Sequence, residues 1–249
     1  MDDITHAEIR SIIVKMVERK LRKITKETES TPFFEAFFSR SIILQASMLH
    51  SFYTSFGQSA YEQIAKVLAL KAGYRAEHQH RLSGVIDTQT EGLIADLMNQ
   101  PADKASEVEQ IRRSIQPANP STNKDRDRVV DVYIKLPDGS EMLFDITTVK
   151  PSKKEFDVLR LKMLRWNALK FSVEPFAQVK TYIGIPFNPY SPAPYARWTV
   201  GRLDPSEVCV QNELWAKFAG YDVFPELVEI FNEAGNMMRD KIHAHLDKL

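Results

Sequence analysis

Apolar side chains recur at helical spacing near the start of this chain. Between His6 and Lys26, Ile9, Ile12, Ile13, Met16, Val17 and Leu21 share one face, and the other face is charged in both signs. That pattern predicts an amphipathic packing helix. Ser30-Thr31-Pro32 is a helix start signal, after which Phe33, Phe34, Phe37 and Phe38 open an apolar stretch running towards Phe52. This stretch is expected to be core. Residues 59–69 carry the next helical pattern, with Gly57 before it and Gly73 after it. Residues 88–100 carry another, ending at Pro101, and the polar, proline-bearing run 116–127 marks a loop or subdomain junction.

The pattern then changes. Arg128 to Leu136 and Ser140 to Val149 are rich in Val, Ile, Leu, Phe, Tyr and Thr and read as strands. Pro137-Asp138-Gly139 between them fits a type I turn followed by a glycine at positive φ, a three-residue hairpin with a bulge. In that register Leu136 pairs with Ser140, and Asp131 falls opposite Asp145 with Cβ atoms about 5 Å apart. A two-residue loop through Asp138-Gly139 would pair Asp131 with Ile146 instead and send the acids to opposite faces. Proline at the first turn position suits the longer loop. Two carboxylates held that close repel unless a proton or a divalent cation sits between them. Asp145 also lies inside the apolar run Met142 to Ile146, where an unpaired carboxylate is costly. A hard-metal site is the first hypothesis, and a solvated hairpin is its plain alternative.

Downstream, Pro151-Ser152 opens a helix over 153–170, with Phe156, Leu159, Met163 and Trp166 on one face. Residues 179–186 read as a buried strand. Residues 188–195 contain three prolines and two tyrosines, which predicts an extended, ordered loop. A short strand at 207–210 and helices at 213–219 and 225–248 close the chain.

With 249 residues the chain is expected to be one domain: a helical part (1–55) suited to dimerisation, a core (56–215) and a C-terminal helical segment (216–249). The single cysteine, Cys209, excludes an intrachain disulfide framework and fits a reducing cytosol. Its valine neighbours mark it as an ordinary strand cysteine. Neither a signal peptide nor a membrane-spanning run is legible, so a soluble, cytoplasmic protein without a membrane partner is expected. Net charge is zero, but Lys124 to Arg202 holds 14 basic against 9 acidic residues, and Leu203 to Leu249 holds 4 against 9. The middle of the chain is therefore permissive for DNA. No Cys/His set has zinc-ligand spacing. His78 and His80, read as helical, diverge and are expected to be exposed.

The order helix, hairpin with two acids, helix, strand matches the αβββαβ core of the PD-(D/E)xK nucleases. The resemblance extends to Thr54-Ser55-Phe56-Gly57 with Glu62 and to the run Phe144 to Pro151. It also takes in Ile185 to Tyr190, Pro194 to Thr199 and Val208 to Gly220. In these segments the chain resembles the TdeIII family of type II restriction endonucleases. The resemblance implies an α/β (α+β) restriction-endonuclease-like fold: a mixed sheet flanked by helices, with extra helices at both ends. It implies a dimeric, Mg²⁺-dependent enzyme cutting double-stranded DNA at a short palindrome of the GGNCC kind.

Residue by residue, it places Asp131, Asp145 and Glu62 as metal ligands. The family pattern has lysine two residues after the second acid, where this chain has Thr147. Lys150 is the favoured substitute and Lys135 the second choice. Asn188, Arg197 and Arg202 are candidates to read base edges. Tyr190, Tyr195, Lys153 and Lys154 are placed in the DNA interface, and Arg160 and Arg165 could track the backbone or form a solvated helix face. Thr147 leaves two rival readings open: a DNA-binding protein with an attenuated site, and a structural domain whose hairpin acids are solvated.

Overall fold

A computed structural model describes residues 1–23, 31–115, 125–197 and 200–246. The first helical pattern becomes α1 (Asp3–Lys23), and Ile9, Ile13, Met16, Val17 and Leu21 are buried on it, as their spacing requires. The expected tail of that helix beyond Lys23 and most of the 116–127 junction lie outside the described residues. Next come α2 (Pro32–Glu35) and α3 (Arg40–Ser55). A single π-helical turn, Phe56–Ala60, leads from α3 directly into α4 (Tyr61–Lys71).

The four phenylalanines expected in the core are on the surface instead, and Phe33 and Phe37 are 85% and 82% exposed. The helix start signal before Phe33 leads into α2 with Phe33 and Phe34, while Phe37 and Phe38 lie in the turn before α3. Further along the run Met48 is buried against Met16, Val17 and Met238, but no other described element lies over the four phenylalanines.

Strand β1 (Arg75–Arg81) has no counterpart in the sequence reading. Only Ala76 on it is buried, because it is an edge strand with polar residues facing water, so no apolar alternation betrays it. His78 and His80 therefore sit on a strand and not on a helix. His78 is exposed, and His80 stacks on Tyr133 with ring centroids 4.3 Å apart. Helices α5 (Thr88–Met98) and α6 (Lys104–Ser114) follow, with Asp87 and Asp103 capping their first turns.

The hairpin is β2 (Val129–Lys135) and β3 (Glu141–Ile146). Its register pairs Val132 with Phe144, Ile134 with Met142 and Lys135 with Glu141. Leu136 N–H donates to Ser140 O at 2.8 Å, Gly139 N–H donates to Leu136 O at 3.0 Å, and Gly139 has φ +86°. The three-residue loop is the one that forms, and a side chain at position 139 would be strained.

Helix α7 (Lys153–Val173) starts on the Ser152–Glu155 capping box. It crosses back to β4 (Val179–Ile185), which runs parallel to β3. The short β5 (Val208–Val210) then pairs in parallel with β4, and α8 (Asn212–Ala219) and α9 (Phe224–Leu246) complete the described chain.

The described strands form one mixed sheet in the order β1-β2-β3-β4-β5. Helices α1, α4, α8 and α9 pack with Val132, Ile134 and Phe144 on one side of it. Helices α5, α6 and α7 pack with Leu143 and Ile183 on the other. Gly184 permits the close approach of α8, since a Cβ there would lie 2.8 Å from Leu214.

The basic residues of α7 are committed inside this second layer. Arg160 is 4% exposed, donates to Gln100 O at 2.8 Å and Leu97 O at 2.9 Å, and pairs with the buried Glu107. Arg165 is held by Glu91 and, at 2.6 Å, by Asp127. Neither can track a DNA backbone, which corrects that expectation. Removing one member of a buried pair strands the other, so Arg160→Ala is expected to destabilise the fold by about 3–5 kcal/mol in urea unfolding.

Candidate active site

Asp131 lies on β2 one step beyond the Val132–Phe144 pair, and continuing that register sets it opposite Asp145 on β3. The two acids share the sheet face of Tyr133 and Leu143, the face that α7 covers. Ile146 N–H donates to Asp131 Oδ2 at 2.9 Å, which fixes one side of the pair. Lys162 of α7 fixes the other, its ammonium pairing with Asp145 Oδ2. The same ammonium lies 5.1 Å from the Trp166 ring centroid, and Trp166 Nε1 donates to Asp127 O at 3.1 Å. The lysine is thus braced by its own helix.

Glu62 arrives from the opposite helix layer, as the second residue of α4, and is 3% exposed. Gln79 of β1 connects it to the pair. Gln79 Nε2 donates to Glu62 Oε2 at 2.7 Å, and its side chain also hydrogen-bonds Asp131. Gln79 has φ +53°, a left-handed conformation uncommon outside glycine and asparagine, and it lies where β1 faces Asp131.

The electrostatics follow from this crowding. Burial, and then the Asp131 charge, push the Glu62 carboxyl up to about 8. Burial, and then the Asp145 charge, hold Asp131 well above the usual carboxylate range against the pull of Lys162 and the Ile146 N–H. Burial works against the Lys162 charge, but Asp145 and Asp131 outweigh it and raise its pKa. Fully ionised, the three acids would carry more negative charge than one ammonium balances, which is why Glu62 and Asp131 hold their protons to higher pH. Among the described residues no three His, Cys, Asp or Glu side chains converge closely enough to hold a metal ion. The expected three-acid shell is here an opposed carboxylate pair with Glu62 alongside, a donor set of hard oxygens that suits a hard divalent cation.

The other expected site residues fall into two groups. Thr147 follows β3, half-buried, and its N–H donates to Gly184 O at 3.0 Å. Lys150 is exposed, and its ammonium lies 5.5 Å from the Tyr190 ring centroid. Lys135 pairs with Glu141 at 3.7 Å, further along the hairpin.

The proline-tyrosine loop is tied to the same stretch that follows the acid strand. Tyr195 OH donates to Val149 O at 3.1 Å and Arg197 Nε to Pro151 O at 3.0 Å. Tyr190 and Tyr195 rings lie 5.8 Å apart. Asn188 spends its side chain inside the loop, donating to Ala193 O at 2.7 Å and accepting from Tyr190 N–H at 3.0 Å. Arg202 is paired with Asp157 at 2.7 Å. Lys153 and Lys154 are exposed at the start of α7. Trp198, in the Pro194 to Thr199 segment that carries the resemblance and grouped with Tyr190 and Tyr195, lies outside the described residues.

Two residues of the centre escaped the sequence reading. Lys162 lies three residues after Leu159 and four before Trp166, so it borders the buried face of α7. A lysine there was a legible signal. Gln79 sits on the strand that had no signal at all.

A mixed sheet flanked by helices, with an acid on each strand of a hairpin and a lysine aimed at one of them, defines a restriction-endonuclease-like nuclease core. Residues 1–235 match the family model described as Type II restriction endonuclease, HinfI, and the chain belongs to that family. It is similar to the type II restriction enzyme HgiEI of Herpetosiphon aurantiacus, 24% identical over 88% of this chain and 82% of the relative. It is also similar to HgiBI of the same organism, 24% identical over 85% and 80% of the two chains, and to HgiCII, 23% identical over 88% and 82%. The protein is accordingly a site-specific endonuclease of the type II restriction class. Among the described residues no helix is long and apolar enough to cross a membrane.

Proposed function

We propose that this protein hydrolyses double-stranded DNA at a short palindrome in a Mg²⁺-dependent reaction, with Asp131 and Asp145 as the metal-holding pair and Glu62 beside them. The opposed carboxylates, with Lys162 on one of them, support this reading most directly. When bound, Mg²⁺ supplies a water acidified by coordination and charge neutralisation at the scissile phosphate. Lys162 takes the role assigned to lysine at position 147: it holds Asp145 in place and presents a positive charge where phosphate charge develops. Thr147 keeps a backbone role in the sheet.

Lys150, Lys153 and Lys154, exposed along the segment leaving the acid strand, contact backbone phosphates. Tyr190, Tyr195 and Asn188 shape the adjoining loop, and Arg197 and Arg202 present what remains of their guanidinium donors to base edges. Cutting both strands of a palindrome calls for two copies of this centre, hence a homodimer acting in the cytoplasm. The TdeIII-like segments favour a GGNCC-like site.

Incubating plasmid DNA with the protein and Mg²⁺ is expected to give discrete fragments, and none with chelator or with Asp145→Asn. DNA binding without any cleavage by the parent would replace this reading with the attenuated DNA-binding protein.

A further inference from the structure

We propose that the aromatic face formed by α2, the turn after it and α3 is the surface on which a second copy of this chain docks. This deepens the homodimer reading above by naming its interface. Of the 16 residues of α3, only Met48 is buried. The exposed apolar side chains cluster in sequence: Phe33, Phe34, Phe37 and Phe38 are 85%, 62%, 82% and 51% exposed. Ile42, Leu49 and Tyr53 follow at 53%, 54% and 53%. The last three recur at i, i+7 and i+11 and so share one helix face.

Aromatic side chains offer roughly 150–250 Å² each. At these exposures the patch presents on the order of 800 Å² of apolar surface, about what one partner contributes to a stable protein–protein interface. Isolated exposed apolar residues are unremarkable on a monomer; a contiguous patch of this size marks an interaction site.

Charge and shape both select the occupant. Glu35 in α2 and Arg40 in α3 are the only Lys, Arg, Asp or Glu residues of the two helices, one charge of each sign, so the face offers no cluster of like charge for a nucleic acid or a charged peptide. Two copies related by a two-fold axis would meet through the same predominantly apolar face, which carries no net charge to repel its own copy. Beside the patch runs an apolar groove of about 520 Å³, lined by Met48, Phe52, Phe56, Phe231, Met238 and Leu246. Projecting aromatic side chains and an apolar groove on one molecule are what an isologous contact needs, since each protomer fills the other's groove.

The placement also has a consequence for the centre. Helix α3 passes through the π turn into α4, whose second residue is Glu62. A partner seated on α3 would brace the helix that carries Glu62.

Sedimentation velocity on the full-length protein, at concentrations up to about 100 µM, tests this. The parent is expected to sediment as a dimer and the Phe33→Asp/Phe37→Asp variant as a monomer. The variant should keep the parent's circular dichroism, because these two side chains bury almost nothing within the protomer, and its thermal midpoint should fall only by what dimerisation itself adds. Leu49→Lys is expected to weaken the dimer independently, and Val158→Asp, an exposed apolar position on α7, to leave it intact. A monomeric parent, including one that instead sediments with phospholipid vesicles, overturns the proposal. So does a dimer that survives both patch variants. A monomeric parent that still cuts both strands sinks only the interface, whereas a patch-dependent dimer that cuts no DNA sinks only the nuclease reading.

Discussion

Replacing Lys162 with methionine is expected to lower the single-turnover cleavage rate by about a thousandfold, the scale of losing one pre-organised charge at a site of developing anionic charge. Methionine keeps the length of the side chain and its contact with Trp166 but leaves Asp145 without its cation, so the metal-free thermal midpoint should fall too, and rates are compared at a temperature where both proteins are folded. Lys150→Ala is the comparison, expected to cost less than about tenfold, because its ammonium rests on Tyr190 beside the centre. Position 147 lies two residues beyond Asp145, on the same side of a regular strand. Thr147→Lys in the Lys162→Met background should therefore recover part of the lost rate. A Lys162→Met enzyme within tenfold of the parent would remove this lysine from the mechanism.

Substituting Asp131 with asparagine is expected to move activity and stability in opposite directions. Cleavage should fall by at least about a thousandfold, because one of the two opposed carboxylates is gone. The metal-free protein should become more stable above neutral pH. A carboxyl whose pKa is raised by folding binds its proton more tightly in the native state, so its stabilisation is complete at low pH. It is lost as pH climbs from the ordinary carboxylate range through the folded value. For Glu62 that window runs from about 4.5 to about 8, and Asp131 is shifted in the same direction.

After allowance for solvent screening, about 1–2 kcal/mol per group is at stake. The thermal midpoint of the metal-free parent should thus decline across this window, and Asp131→Asn should flatten the decline. Added Mg²⁺ should raise the midpoint more at pH 8 than at pH 6. A midpoint that does not vary with pH or with Mg²⁺ would contradict both the charge surplus and the proposed metal pair.

Much of the centre was legible because it depends on local rules. Proline and glycine around Asp138 select one loop length, the loop sets the register, and the register puts Asp131 opposite Asp145. The Ser152–Glu155 box likewise announces the start of α7. Exposure was the less secure inference. Phe33, Phe34, Phe37 and Phe38 are as apolar as any core segment, and a helical pattern cannot say whether the partner that covers it belongs to the same molecule. Arg160 and Arg165 fail in the opposite sense: charge suggests solvent, but buried Glu107 and half-buried Glu91 and Asp127 draw them inward.

The sequence by itself determined the hairpin, its facing acids and the succession of helix, hairpin, helix and strand, since each follows from contacts between near neighbours in the chain. Only the tertiary structure decided what surrounds the acids. It brings Lys162 across from α7, Glu62 from the opposite helix layer, and Gln79 from an edge strand whose polar residues leave no periodic trace. Those three meet the aspartates through packing between distant segments, and no local pattern encodes which lysine, of several within reach along the chain, the packing will select.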